Sequence, residues 1–173
     1  VMRLVGSEMC IRDSSIYLSF TSDVKVGVTR KSQVPTRWID QGAIEAIEIA
    51  ELPNRYLAGI CEIELKKYFK DKTNWRTMLT TNKSNIDLLS KKNECYSILP
   101  EEAKNYFLSK SKTLKINYPI SNSIITPKSL NIKKMKTFSG KLIGIKGQYL
   151  IFEDSTVFNV RSNEGLVVNI KID

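Results

Sequence analysis

The hydrophobic pattern changes period twice along the chain. Ile16 to Phe20 alternates apolar and polar positions, Thr21-Ser22-Asp23 supplies turn residues, and Val24 to Thr29 alternates again, so a β-hairpin is predicted. Pro35 can open a short helix and Gly42 can close it, with Trp38 and Ile39 inside. Between Ala43 and Leu52, Ile44, Ala46, Ile47 and Ile49 are interleaved with glutamates, which predicts a third strand. From Asn54 to Phe69 the period becomes helical. Leu57, Ile60, Cys61, Leu65 and Tyr68 form one apolar stripe, and Asn54 stands where an N-cap belongs. Asn74 is placed to cap a short helix running to Leu79. Ser84 to Lys92 and Pro100 to Ser109 read as two further helices.

After Leu114 the texture changes again. Ser121 to Ser129 reads as loop. Gly140, Gly144, Gly147, Asp154-Ser155 and Asn163-Glu164-Gly165 then punctuate the short apolar runs LIGI, YLIF, TVFNV and LVVNIKI, the pattern of a β-meander. The fold class expected is α/β in the α+β sense: a small three-stranded antiparallel sheet flanked by helices over 15–82, a helical and loop connector over 83–135, and a C-terminal β unit over 136–173. The first 14 residues read as a foreign or disordered segment. Arg3 and Glu8 break any signal-peptide core, and SEMCIRDS resembles translated sequencing-adapter sequence, which implies that an N-terminal half is missing. Tyr149 to Phe152 is apolar on both faces. Without that half an exposed edge is expected there, and with it self-association of the truncated chain.

Composition narrows the chemistry. At 173 residues and 42% hydrophobic the chain can bury one core, or one core with an appendage. No apolar run approaches the ~20 residues that cross a bilayer, so no membrane partner is expected. There is no histidine, which removes Ser-His and Cys-His catalysis. The three cysteines, Cys10, Cys61 and Cys95, lack paired metal spacing; neither a zinc site in this fragment nor a disulfide framework is expected, and a reducing cytoplasm is. The net charge is +9, and from Ala103 to Leu150 there are ten lysines and no acid. Two readings stand: a surface turned toward nucleic acid, with Lys133, Lys134 and Lys136 at its centre, or a solvated face. The near absence of arginine there points to backbone contact rather than base reading.

Ser15-Ile16-Tyr17, followed across a turn by Lys25-Val26-Gly27, resembles the GIY-YIG endonuclease superfamily over about Ser15 to Leu79, closest in texture to its phage-type branch. The resemblance implies a three-stranded sheet carrying both motifs, an arginine on the next helix, and a glutamate on a later helix holding one divalent metal. The matching positions are Tyr17, Gly27, Arg37 and Glu62, with Mg²⁺ or Mn²⁺ as the implied cofactor. Two features depart from the pattern: Lys25 stands where better-known members have tyrosine, and the gap between motifs is short. A closer likeness is carried by KVGVTR, PTRWIDQGA, DKTNWRTML, GKLIGIKGQYLIFED and RSNEG, which resemble domain-of-unknown-function family 2797 from Tyr17 almost to the C-terminus. That likeness implies full-length members with an N-terminal half bearing cysteine pairs suited to zinc. It implies no activity.

Each residue has a chemical and a packing role to choose between. Phosphodiester hydrolysis needs an activated water, a cation near the phosphate and leaving-group stabilisation. Tyr17 can accept a proton or simply pack. Gly27 can admit a phosphate to the backbone or avoid a clash. Arg37 can clamp a phosphate oxygen or pair with Asp40. Glu62 borders the helical stripe on one side and Glu64 on the other, so helix geometry leaves both open; the resemblance favours Glu62. Lys25, Arg30, Asn74 and Arg76 are further candidate phosphate contacts, and Trp38 and Trp75 are core anchors or base-stacking platforms. The function expected is nucleic-acid binding with metal-dependent cleavage. The alternatives are a catalytically silent interaction module and a binder of a phosphorylated small ligand.

Overall fold

The structure, a computed structural model, describes residues 14–69, 72–121 and 126–172. The proposed foreign segment lies outside them but for its last residue.

The predicted hairpin forms as β1 (Ser14–Phe20) and β2 (Val24–Arg30), with Asp23 Oδ1 accepting from the Val24 amide at 2.8 Å across the turn. The third predicted strand, β3 (Glu45–Leu52), pairs antiparallel with the other edge of β1, with a register shift between Ile16 and Tyr17. The sheet is not three-stranded. Leu114–Lys115 of the connector adds a short β4 on Glu45 and Ala46, giving the order β2-β1-β3-β4. The extra strand covers backbone groups that β3 would otherwise leave unpaired.

One face of this sheet carries the main core. Ile16, Leu18, Val26, Ile47 and Ile49 pack under α2 (Arg55–Lys66), α4 (Leu88–Ile98) and α5 (Glu101–Lys104). Asn54 caps α2 as expected, its Oδ1 accepting from the Leu57 amide at 2.8 Å. The next helix begins and ends later than its pattern suggested. Asp87 takes the Leu89 and Ser90 amides at 2.9 and 3.3 Å, and Leu99 turns extended before Pro100. The helix expected from Pro100 to Ser109 stops at Lys104, because the following backbone is drawn onto β3: Leu108 N donates to Ile49 O at 2.8 Å, and Phe107 bridges Ala50.

The C-terminal pattern resolves into a second sheet. β6 (Leu142–Lys146), β7 (Tyr149–Phe152) and β8 (Thr156–Asn159) form the meander, and β5 (Lys128–Ser129) joins β8 in parallel, in the order β5-β8-β7-β6. The run LVVNIKI does not become a strand; Val167 is 99% exposed and Ile172 91%. Nor is Tyr149–Phe152 the exposed edge that was expected, since β7 lies between β6 and β8. α3 (Trp75–Thr80) covers one face of it through Met78 and Leu79, with Trp75 stacked on Tyr149 at 5.7 Å, and Phe138 meets Phe152 edge-on at 4.8 Å. No helix among the described residues is long and apolar enough to cross a membrane.

The two sheets meet at the turn between α1 (Thr36–Asp40) and β3. The Tyr118 hydroxyl lies 2.8 Å from the Ala43 carbonyl and 3.2 Å from that of Ile39. Gly147, at the tip of the β6–β7 hairpin, has φ +58°, and a Cβ there would stand 2.9 Å from Asp40 O and Gly42 N. Only glycine combines that backbone with that approach.

Candidate functional site

The second face of the first sheet is polar and nonetheless buried. Ser15, Tyr17 and Ser19 alternate with the core residues of β1 and are at most 1% exposed. Tyr17 stands directly opposite Gly27 in the β1–β2 register. A Cβ on Gly27 would sit 2.6 Å from the Tyr17 hydroxyl oxygen, so the absence of a side chain lets the ring lie across β2, the outermost strand. The ring packs against Trp38, centroid to centroid at 5.7 Å, with Ala43 and Ala46 completing the cluster.

Three groups act on that hydroxyl. Gln41 Nε2 donates to it at 2.9 Å. Arg37, from the same short helix, bears on it through its charge and a hydrogen bond, and the charge of Glu62 reaches it from α2. Burial raises the Tyr17 pKa, the Gln41 hydrogen bond and Arg37 pull it back, and Glu62 adds a smaller push upward; the balance lies above the ordinary value. The unliganded phenol is therefore protonated at neutral pH. Around it, Ser19 Oγ, Trp38 Nε1 and Gln41 Oε1 are buried with no hydrogen-bond partner among the described residues. Buried polar atoms of this kind are normally met by ordered water or ligand.

Tyr17, Gly27 and Arg37 thus lie together, and the charge of Glu62 reaches them from α2. The fold also separates the two glutamates that the helical stripe left open. Glu64 pairs with Lys67 at 2.5 Å, whereas Glu62, paired with Lys66 at 3.3 Å, is the one whose field falls on Tyr17. Lys25 shares the Tyr17 side of β2 by strand parity but is 8% exposed, and its ammonium donates to Thr73 Oγ1 at 3.0 Å. Arg30 is exposed at the strand end, on the opposite parity to Gly27. Lys133, Lys134 and Lys136 are exposed.

The structure gives other work to the remaining candidates. Asn74 Oδ1 accepts from the Arg76 and Thr77 amides at 3.1 and 3.3 Å, capping α3. Asn74→Ala is expected to lower unfolding free energy by about 1 kcal/mol and to leave nucleic-acid affinity unchanged, which denaturant titration and a binding isotherm check. Arg76 lies 4.3 Å from the centroid of Trp75, which is already stacked on Tyr149. Trp38 is 4% exposed. Both tryptophans are anchored in the fold rather than presented as open platforms.

A family model described as "Protein of unknown function (DUF2797)" matches residues 4–168. The chain belongs to that family. No curated protein and no solved structure matches it. Two residues of this DUF2797 chain escaped the sequence reading. Gln41, inside the PTRWIDQGA segment, holds the tyrosine. Glu48 stands opposite Tyr17 on β3, where it accepts from Ser15 Oγ at 2.7 Å and pairs with Lys31 at 2.8 Å. Lys31 also pairs with Glu51 at 2.7 Å, and these bonds, outweighing its burial, raise its pKa. An unbroken alternation through EAIEIAEL would put Glu48 and Glu51 on opposite faces; the register shift on β3 beside Ile16 and Tyr17 breaks that parity, and both carboxylates reach Lys31.

Proposed function

We propose that the outer edge of β2 binds the phosphodiester backbone of a nucleic acid and hydrolyses it with the help of a divalent cation. The observation that carries this reading is a tyrosine hydroxyl that crosses a glycine to reach the sheet edge, with Arg37 hydrogen-bonded to it and the charge of Glu62 bearing on it. These are the positions that match the GIY-YIG motifs. Arg37 offers a planar fork to a non-bridging oxygen. Tyr17 takes the proton of the attacking water, with the charge of Arg37 beside it lowering the energy of the phenolate. Because burial holds the free phenol neutral, that step belongs to the substrate-bound state.

The donor set for an ion is one carboxylate, Glu62. No cluster of three or more metal-binding side chains occurs among the described residues. One carboxylate with several waters suffices for Mg²⁺ or Mn²⁺, so these residues fit a hydrated ion and not a closed protein cage. When bound, such an ion neutralises phosphate charge and makes a coordinated water more acidic. A second reading, binding without cleavage, is favoured by the burial of Tyr17, which is only 1% exposed.

Binding is expected to show little sequence preference and a marked salt slope. Reversing Lys133, Lys134 and Lys136 to glutamate should weaken it uniformly across DNA and RNA sequences. Titration of single- and double-stranded oligonucleotides at two salt concentrations checks this, and undetectable affinity at low salt rejects it. Nicking of supercoiled plasmid that requires added Mn²⁺ separates hydrolysis from binding alone.

A further inference from the structure

A cavity of about 240 Å³ opens between the sheets. Lys146, the last residue of β6, lines it. Its side chain is almost entirely buried, with the residue 1% exposed. The ammonium donates to the Thr81 carbonyl at 2.5 Å and lies 5.7 Å from the centre of the Tyr118 ring. One carbonyl satisfies one of its three donors. Among the described residues no carboxylate forms an ion pair with it. Burial alone depresses its pKa, to about 8 from 10.5. The titratable groups on the packed elements are Tyr118, whose own pKa is raised by burial and by Asp40, and Asp40 itself behind that ring. Neither supplies a countercharge at the ammonium. The rest of the wall is of two kinds: Asn82, Asn117 and Ser121 are polar, while Ile44, Ile116 and Ile120 are apolar.

A buried cation without an acid is costly, and a cavity beside it is the place for the missing charge. We infer that this cavity binds a small organic anion, whose carboxylate or phosphate group pairs with Lys146 while its apolar body rests on the isoleucines. The inference does not depend on the phosphodiester reading, because it uses none of the residues proposed to act on phosphate.

The test is calorimetric titration of the protein with benzoate, phenyl phosphate and inorganic phosphate, with neutral benzamide as control. Saturable binding of an organic anion, stronger than that of inorganic phosphate and absent for benzamide, is expected. The charged lysine is the binding form, so affinity should be full below about pH 8 and fall roughly tenfold per unit above it. Lys146→Met should abolish binding while raising Tm by about 5 °C, since it removes an unpaired buried charge. Lys141→Met, at an exposed lysine five residues earlier, should change neither. No saturable anion binding, or binding that survives Lys146→Met, overturns the inference, as does a fall in Tm on that substitution, which would make the lysine a tie for the Thr81 carbonyl. Should the variant not fold, side-chain NMR of the wild-type lysines decides: the titration near pH 8 must move upward with saturating benzoate, and an unmoved titration rejects the site.

Discussion

Glu62→Gln is expected to abolish Mn²⁺-dependent plasmid nicking and to leave nucleic-acid binding nearly intact, whereas Glu64→Gln should change neither. The two glutamates flank the same apolar stripe of α2, two residues apart. Glu64 is turned to Lys67 at 2.5 Å, and Glu62 is the one whose charge bears on Tyr17. Removing the carboxylate proposed to hold an ion should cost ~100-fold or more in rate, the usual scale of a lost electrostatic or proton-transfer group. Folding should hardly notice, because a half-exposed pair such as Glu62 with Lys66 contributes at most about 1 kcal/mol. Tyr17→Phe should slow cleavage on the same scale, and Arg37→Lys should impair it because a point charge does not replace a planar fork. Equal nicking by the Glu62 and Glu64 variants would sink the assignment of Glu62. If the wild-type protein does not nick above Glu62→Gln, the edge of β2 only binds.

Gly27→Ala is expected to destabilise the protein by about 2 kcal/mol, the middle of the range for overpacking, and to displace the Tyr17 ring. The new methyl would meet the hydroxyl oxygen at 2.6 Å and Cζ at 2.7 Å. The ring has no free space to yield into, since Gln41 holds its hydroxyl and Trp38 packs on it at 5.7 Å. Trp38 emission should therefore shift along with the unfolding midpoint. Combining Gly27→Ala with Tyr17→Leu should cost less than the two single changes added together, since removing the ring also removes the clash that the new methyl makes with it. Strict additivity, with an unmoved tryptophan spectrum, would show that the ring does not lie across that strand.

The hairpin, the caps at Asn54 and Asn74, and the stripe on α2 were legible because each is a local signal: a period, a turn tripeptide, or a side chain placed to accept its own helix's amides. Glu62 was legible as one of a pair, and only the three-dimensional approach of α2 to β2 separates it from Glu64. What failed was non-local. β4 and β5 are two residues each, too short to have a period, and exist because an edge needed covering. The apolar alternation of LVVNIKI looked like a strand, but the edge beside β8 is taken by Lys128–Ser129. Lys146 stood in a run of ten lysines and looked like solvent charge. Only the packing of Tyr118 and Thr81 around it shows otherwise. Asn74 and Arg76, read as phosphate contacts, carry side chains that the fold spends on a cap and on an indole face.

Every residue proposed to take part in cleavage lies within the first 62 positions, yet the turn that carries Gln41 is held from behind by Tyr118 and by the glycine at position 147. On the ribosome, the chain emerges in the opposite order to that dependence. The tyrosine, arginine and glutamate are all exposed to the cell while their brace is still unsynthesised. The site therefore matures only when the second hairpin has closed on the first sheet, and a nascent chain stalled before that hairpin is expected to carry the full set of chemical groups without their geometry.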